Sequence, residues 1–232
     1  MNQLYIHSSN RYTSNRAVVV LPEIFGVTDF IKRTVDRFAE ELKLPAFALD
    51  HFYAVTGKTE VFDYATDVDK GAEIMNRMRG EDFVGLFTKA LDEIQAENPS
   101  ITEFIVVGFC FGGRLAYLSG LDKRVVKIVS FYGGQAHKDD YYEQMTPVGA
   151  LAHARGGDNK LQVLGLYGGQ DASIPAEDRA KTQELLGQTG INYTEQVFER
   201  AGHAFFNDAR PAMYNAEAAQ ASWQRIQAFL AN

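Results

Sequence analysis

The 232-residue chain has one cysteine, Cys110. A single thiol cannot form an internal disulfide, and a thiol kept reduced fits the cytosol better than an oxidising compartment, so a cytoplasmic location is expected. Long apolar runs are also missing. None approaches the roughly 18 residues that a membrane span requires, and the opening "MNQLYIHSSNRYTSNR" has no apolar signal core, so neither membrane insertion nor export is expected. Positive charge is in deficit: 23 Lys and Arg against 30 Asp and Glu leave a formal net charge of −7, with no basic stripe to override it. A surface of that sign repels phosphate backbones, so no nucleic-acid partner is expected. No two histidines stand at ligand spacing and there is no second cysteine, which disfavours a zinc site. Internal repeats, low-complexity tracts and linkers are absent too. With 46% hydrophobic content the chain can bury a sizeable core, and one domain over 1–232 is the expectation.

What is present alternates. "AVVVLP" (17–22), "PAFALD" (45–50), "FIVVGF" (104–109), "VVKIVSFYG" (125–133), "LQVLGLYG" (161–168) and "YTEQVF" (193–198) are short, nearly continuous apolar or β-branched runs. Such runs mark strands covered on both faces. Helical periodicity separates them at 28–42, with Phe30, Ile31, Val35, Phe38 and Leu42, then at 83–96, 112–120, 176–187 and 215–230. Strand and helix in turn predict an α/β fold, a mostly parallel sheet with helices on both faces. "LYIHSS" (4–9) is expected to add an antiparallel edge, "HARGGDNK" (153–160) to form a surface loop, and 51–82 to hold at most one helix and cap a site.

In such sheets ligands sit beyond the carboxyl ends of the strands. "GFCFG" (108–112) has the form G-x-S-x-G with cysteine as the nucleophile. That motif sets the nucleophile on a sharp strand-to-helix turn, where flanking side chains would collide with the neighbouring strand and helix. A helix N-terminus also favours thiolate over thiol. Asp171 follows the sixth strand in "YGGQDASIP" and His203 follows the last in "ERAGHAFFND", giving the order nucleophile, acid, histidine of α/β-hydrolases. The imidazole takes the thiol proton, and the carboxylate holds its tautomer. Asp178 and Asp208 are alternatives to Asp171 in principle. His7, His51, His137 and His153 are rivals of His203, but none of them occupies a glycine-containing turn after the last strand. The geometry of the turn assigns the oxyanion donors to the backbone N–H of Phe111 and, from the loop after the second strand, of Ile24.

Taken in order, "LPEIFGV" (21–27), "GFCFGGR" (108–114), "GGQDASIP" (168–175) and "AGHAFFN" (201–207) resemble the dienelactone hydrolase family of α/β-hydrolases over nearly the whole chain. The resemblance implies hydrolysis of an ester or lactone through a Cys-His-Asp triad on Cys110, His203 and Asp171, without cofactor or metal. It also implies that Glu23 interacts with the cysteine and helps to activate it when substrate arrives. Tyr53 fits the family's aromatic loop and is expected to line the pocket, the alternative being a core ring with a wet hydroxyl.

The chain departs from the family at Asn207, four residues after His203, where the best-known members hold a substrate carboxylate with arginine. A neutral amide replaces a bidentate, always-charged partner. Arg210 is the first candidate to compensate, with Arg77, Arg79 and Lys70 behind it. Neutral esters and lactones are therefore expected to be hydrolysed at least as well as carboxylate-bearing ones. The alternatives are a thioesterase or broad carboxylesterase on the same triad, or a non-catalytic ligand-binding scaffold. The partner is a small molecule, and the chain itself a monomer or small homo-oligomer.

Overall fold

The computed structural model describes residues 5–9, 11–137 and 141–231, with side chains from Ser8 onward. Leu4, the first residue of the expected edge strand, lies outside them. Seven strands form one sheet: β1 (Tyr5–Ser9), β2 (Arg16–Leu21), β3 (Ala46–Leu49), β4 (Glu103–Phe109), β5 (Val125–Phe131), β6 (Gln162–Gly168) and β7 (Asn192–Phe198). Their order across the sheet is β1-β3-β2-β4-β5-β6-β7, with β1 antiparallel to β3 and every other pairing parallel. The central strands are buried on both sides, which is why they read as unbroken apolar runs. Val19 and Val106 face one core, while Val18, Val20, Ile105 and Val107 face the other.

Helices α1 (Asp29–Leu42) and α8 (Ala216–Ala231) cover the second of these faces. In α1 the buried Phe30, Ile31, Thr34, Val35, Phe38 and Ala39 form the stripe expected of a 3.6-residue period. From the first face come α2 (Tyr53–Thr56), α3 (Val68–Arg77), α4 (Gly80–Glu97), α5 (Phe111–Ser119), α6 (Pro147–Arg155) and α7 (Ala176–Gly187). Among the described residues no helix is long and apolar enough to cross a membrane.

Two expectations about local structure are corrected. The stretch 51–82, read as one helix at most, contains α2, α3 and the start of α4. The signal in α3 was weak because only Gly71 and Ile74 are buried, so its sequence shows no continuous apolar stripe. Gly71 nevertheless fixes its position. A Cβ there would fall on the carbonyl of Ile24, so only glycine lets α3 lie this close to the loop after β2. The expected surface loop at 153–160 begins as the last turn of α6. Thr146 caps that helix by accepting a hydrogen bond from Gly149 N at 3.0 Å, with Pro147 next in the chain. Arg155 is buried there and donates to the Gly120 carbonyl at 2.7 Å.

Candidate active site

The residues singled out after the strands gather at the carboxyl edge of the sheet. Cys110 joins β4 to α5 with φ 54° and ψ −115°, in the left-handed half of backbone space that costs a non-glycine residue roughly 1–3 kcal/mol. Neighbouring backbone holds it there: Cys110 N donates to Phe131 O at 3.0 Å, and Gly112 N to Pro22 O at 3.1 Å. Cβ atoms at Gly108 and Gly112 would strike the Gly112 and Leu21 carbonyls respectively, so both glycines are steric necessities of the turn. Phe111 is the first residue of α5, where an N–H has no partner inside the helix, and it lines the same cavity as Cys110.

His203 Nδ1–H donates to Asp171 Oδ2 at 2.6 Å. The other carboxylate oxygen, Oδ1, accepts from Ser173 N at 2.9 Å and from Ser173 Oγ at 2.5 Å. The aspartate side chain is 2% exposed and the imidazole 26%, so the pair is anchored inside and open at the histidine. Burial would lower the His203 pKa. The charges of Cys110 and Asp171 and their hydrogen bonds outweigh it and push the imidazole up to about 10. For Asp171, burial raises the pKa and the hydrogen bond and charge of His203 more than reverse it. The neighbours of His203 thus favour its charged form, and the imidazole in turn favours the carboxylate form of Asp171. The turn carrying His203 is pinned by Phe205 and Phe206, both buried in the core beside Phe131.

Glu23, on the loop after β2, is 1% exposed. Its Oε2 accepts from Asn207 Nδ2 at 2.7 Å, and its Oε1 has no hydrogen-bond partner. Burial dominates and raises its pKa, against the lowering influence of Arg210, Asn207 and His203. Asn207 also donates to the Tyr64 hydroxyl at 3.2 Å, and its own Oδ1 accepts from Ala209 N at 3.0 Å.

Cys110 and His203 line one cavity of about 250 Å³, with Ile24, Phe111, Met75 of α3, Tyr132 and Ser173 also among its walls. No carboxylate is among its lining residues, and its permanently charged side chain is Arg114, stacked 4.3 Å over the Tyr141 ring. Three residues expected to bind substrate lie off this wall. Tyr53 starts α2 and packs against the core, its N–H held by Asp50 O at 3.2 Å. Asn207 is fully buried behind Glu23. Arg210 lies over the rings of Phe25 and Tyr64, at 5.2 and 5.7 Å, where it faces Glu23. The remaining candidates are on the surface, Lys70 paired with Asp67, Arg77 with Glu73 and Arg79 with Asp82. A wider groove of about 570 Å³ beside α3 is lined by such paired charges, and neither Cys110 nor His203 is among its lining residues.

Of the rivals, Asp178, His137, Asp208 and His51 are accounted for elsewhere, and the side chain of His7 lies outside the described residues. Asp178 faces His137 at 3.3 Å, and Asp208 binds Arg33 at 2.7 Å. His51 is fully buried against Phe52 and Phe111, and burial lowers its pKa to about 3. Sequence reasoning missed Arg114, Tyr132 and Ser173. Arg114 stands four residues after Cys110, one helical turn away, which is the signal that would have found it. Tyr132 was absorbed into the apolar run 125–133, although β5 ends at Phe131. Among the described residues no group of three or more His, Cys, Asp or Glu converges as a metal site would require.

A mostly parallel sheet, helices on both faces and a cysteine on a strained strand-to-helix turn define a hydrolase of the α/β-hydrolase fold. The dienelactone hydrolase family matches residues 3–232, and the chain belongs to it. It is 33% identical over 216 residues to a provisionally named carboxymethylenebutenolidase of Methylorubrum extorquens, covering 90% of this chain and 69% of that protein. A protein of the same provisional name in Escherichia coli (strain K12) is 28% identical over 210 residues, covering 90% and 74% of the two chains. Among solved structures, a provisionally named dienelactone hydrolase from Klebsiella pneumoniae superposes with a TM-score of 0.78 at 26% identity, covering 97% of this chain and 89% of the other.

Proposed function

We propose that the protein hydrolyses carboxylic esters or lactones through an acyl-thioenzyme on Cys110. The observation that carries this reading is the 2.6 Å bond from His203 to Asp171, with His203 and the elbow cysteine lining the same cavity. Cys110 as thiolate attacks the carbonyl carbon, and the carbonyl π electrons move to oxygen. The N–H groups of Phe111 and Ile24 face the resulting oxyanion. As the tetrahedral intermediate collapses, the C–O bond to the leaving group breaks and the imidazolium of His203 protonates the departing oxygen. Neutral His203 then takes a proton from water, the hydroxide adds to the thioester, and the thiolate is released. Asp171 orients the ring and stabilises its charged form throughout. Glu23, buried and biased toward its neutral form, is assigned to the activation of the nucleophile.

The cavity walls favour breadth over a dedicated anion site. Ile24, Met75 and Phe111 present hydrocarbon, and neither Asn207 nor Arg210 reaches the wall. Neutral aryl esters, lactones and acyl-thioesters thus fit as well as a carboxylate-bearing lactone. The test is a panel of these substrates against the parent and Cys110→Ala. The expected outcome is hydrolysis by the parent, none by the alanine variant, and an acyl adduct on Cys110 in the mass spectrum of the quenched parent. Turnover by Cys110→Ala at the parent rate would dismiss the nucleophile. An anionic lactone preferred by a hundredfold, about 2.7 kcal/mol, and equalised by Arg114→Gln would move anion recognition to Arg114.

A further inference from the structure

Ser173 stands two residues after Asp171 on the loop that follows β6, is exposed, and lines the cavity shared by Cys110 and His203. Its amide and its hydroxyl converge on one oxygen, Asp171 Oδ1, at 2.9 and 2.5 Å. The hydroxyl oxygen also lies 3.4 Å from His203 Nδ1, beside the bond that joins the ring to Asp171 Oδ2. The turn itself does not need that hydroxyl. Asp171 N reaches Gly168 O at 3.3 Å and Ile174 N reaches Asp171 O at 3.1 Å. The Ser173 amide, a donor that any residue except proline supplies, already holds Oδ1.

What the hydroxyl adds falls on charge. A carboxylate that accepts a further hydrogen bond is a weaker base, because the bond favours its ionised form. Burial raises the Asp171 pKa, and the bond and charge of His203, followed by the hydroxyl and amide of Ser173, bring it below its ordinary value. With less charge left on Oδ2, the imidazolium is held less tightly and parts more readily with the proton on Nε2. One step of the proposed hydrolysis depends on that proton. When the tetrahedral intermediate collapses, a departing alkoxide must be protonated, or the far less basic thiolate leaves in its place.

We infer that Ser173 is a positioning residue of the triad: by hydrogen bonding to Asp171 it keeps the His203 imidazolium acidic enough to protonate a poor leaving group. It acts through Asp171 and His203 and keeps its own proton throughout. The role presupposes that Cys110 is the nucleophile of the proposed hydrolysis. It concerns alkyl esters and saturated lactones, whose departing oxygen is an alkoxide.

The test compares the full chain with Ser173→Ala and Ser173→Thr on two esters of one acid. One is an ethyl ester, and the other a 4-nitrophenyl ester, whose leaving group needs no proton. In the alanine variant kcat/KM for the ethyl ester is expected to fall about tenfold, while that for the 4-nitrophenyl ester changes by less than about twofold. Threonine, which keeps the hydroxyl, restores the ratio of the two esters to that of the parent. Both esters report on the same folded protein, so a loss of active enzyme leaves their ratio unchanged. An unchanged ratio in Ser173→Ala overturns the role, whether or not both rates fall, and so does a threonine variant that behaves like alanine. If Cys110→Ala still hydrolyses esters, the reading of the nucleophile fails first. If that variant is inactive while the two esters respond alike to Ser173→Ala, only the role of Ser173 fails.

Discussion

Asp171 divides its two oxygens between separate tasks, one accepting the His203 ring proton and the other accepting the Ser173 amide and hydroxyl. The second set holds the carboxylate plane still, so the first can select a single imidazole tautomer. Replacing Asp171 by Asn puts an NH2 or a differently directed oxygen against Nδ1, and the tautomer that leaves Nε2 free to accept a proton is lost. We expect Asp171→Asn to lower kcat by on the order of 10²–10⁴ with Tm changed little. A steady-state assay beside a melting curve separates this from unfolding, and an unchanged kcat would remove Asp171 from the mechanism. Cys110, Asp171 and His203 were readable from the chain because each is a residue type with few competing uses placed just past a strand. Arg114, Tyr132 and Ser173 were not, since their importance comes from what stands opposite them across the cavity, and nothing in their own sequence neighbourhood reports that. Asn207 shows the reverse failure. Its position suggested contact with substrate, while burial has turned it onto Glu23.

Among the elements, the strands announced themselves. A strand buried on both faces needs apolar side chains at every position, so β2, β4 and β6 left runs that no helix would produce. The cap did not, because α3 buries only two residues and relies on a backbone contact for its place. That contact is testable. Gly71→Ala pushes a methyl group into the Ile24 carbonyl, on the loop proposed above to supply the second oxyanion donor. Displacement of α3 relieves the clash and carries Met75 away from the cavity wall. The expected result is a lower Tm by several degrees together with a kcat/KM reduced more than tenfold, since overpacking of this kind costs typically 1–3 kcal/mol. Parent-like values for both quantities would mean that the helix is not seated on the loop.

For the molecule as a whole, pH acts on stability through Asp50. Its oxygens accept from Phe52 N at 3.0 Å and Glu60 N at 3.1 Å, closing the start of the cap, yet burial outweighs those bonds and raises its pKa from 3.8 to about 6. The folded state thus holds this proton more tightly than the unfolded chain. The stabilisation is fully present below about pH 4 and is lost as pH rises through about 6, a change of about 3 kcal/mol. Denaturant titrations of the parent and Asp50→Asn at pH 4, 5, 6 and 7 should show their difference in ΔG moving against the parent by that amount across the interval, and a constant difference would refute the assignment. The solitary thiol also has a consequence for the chemistry of damage. A peroxide that converts Cys110 to a sulfenic acid finds no second cysteine in the chain to capture it as a disulfide. Recovery must come from a thiol outside the protein, and without one a second peroxide oxidises the sulfur to the sulfinic acid, from which simple reductants do not return it.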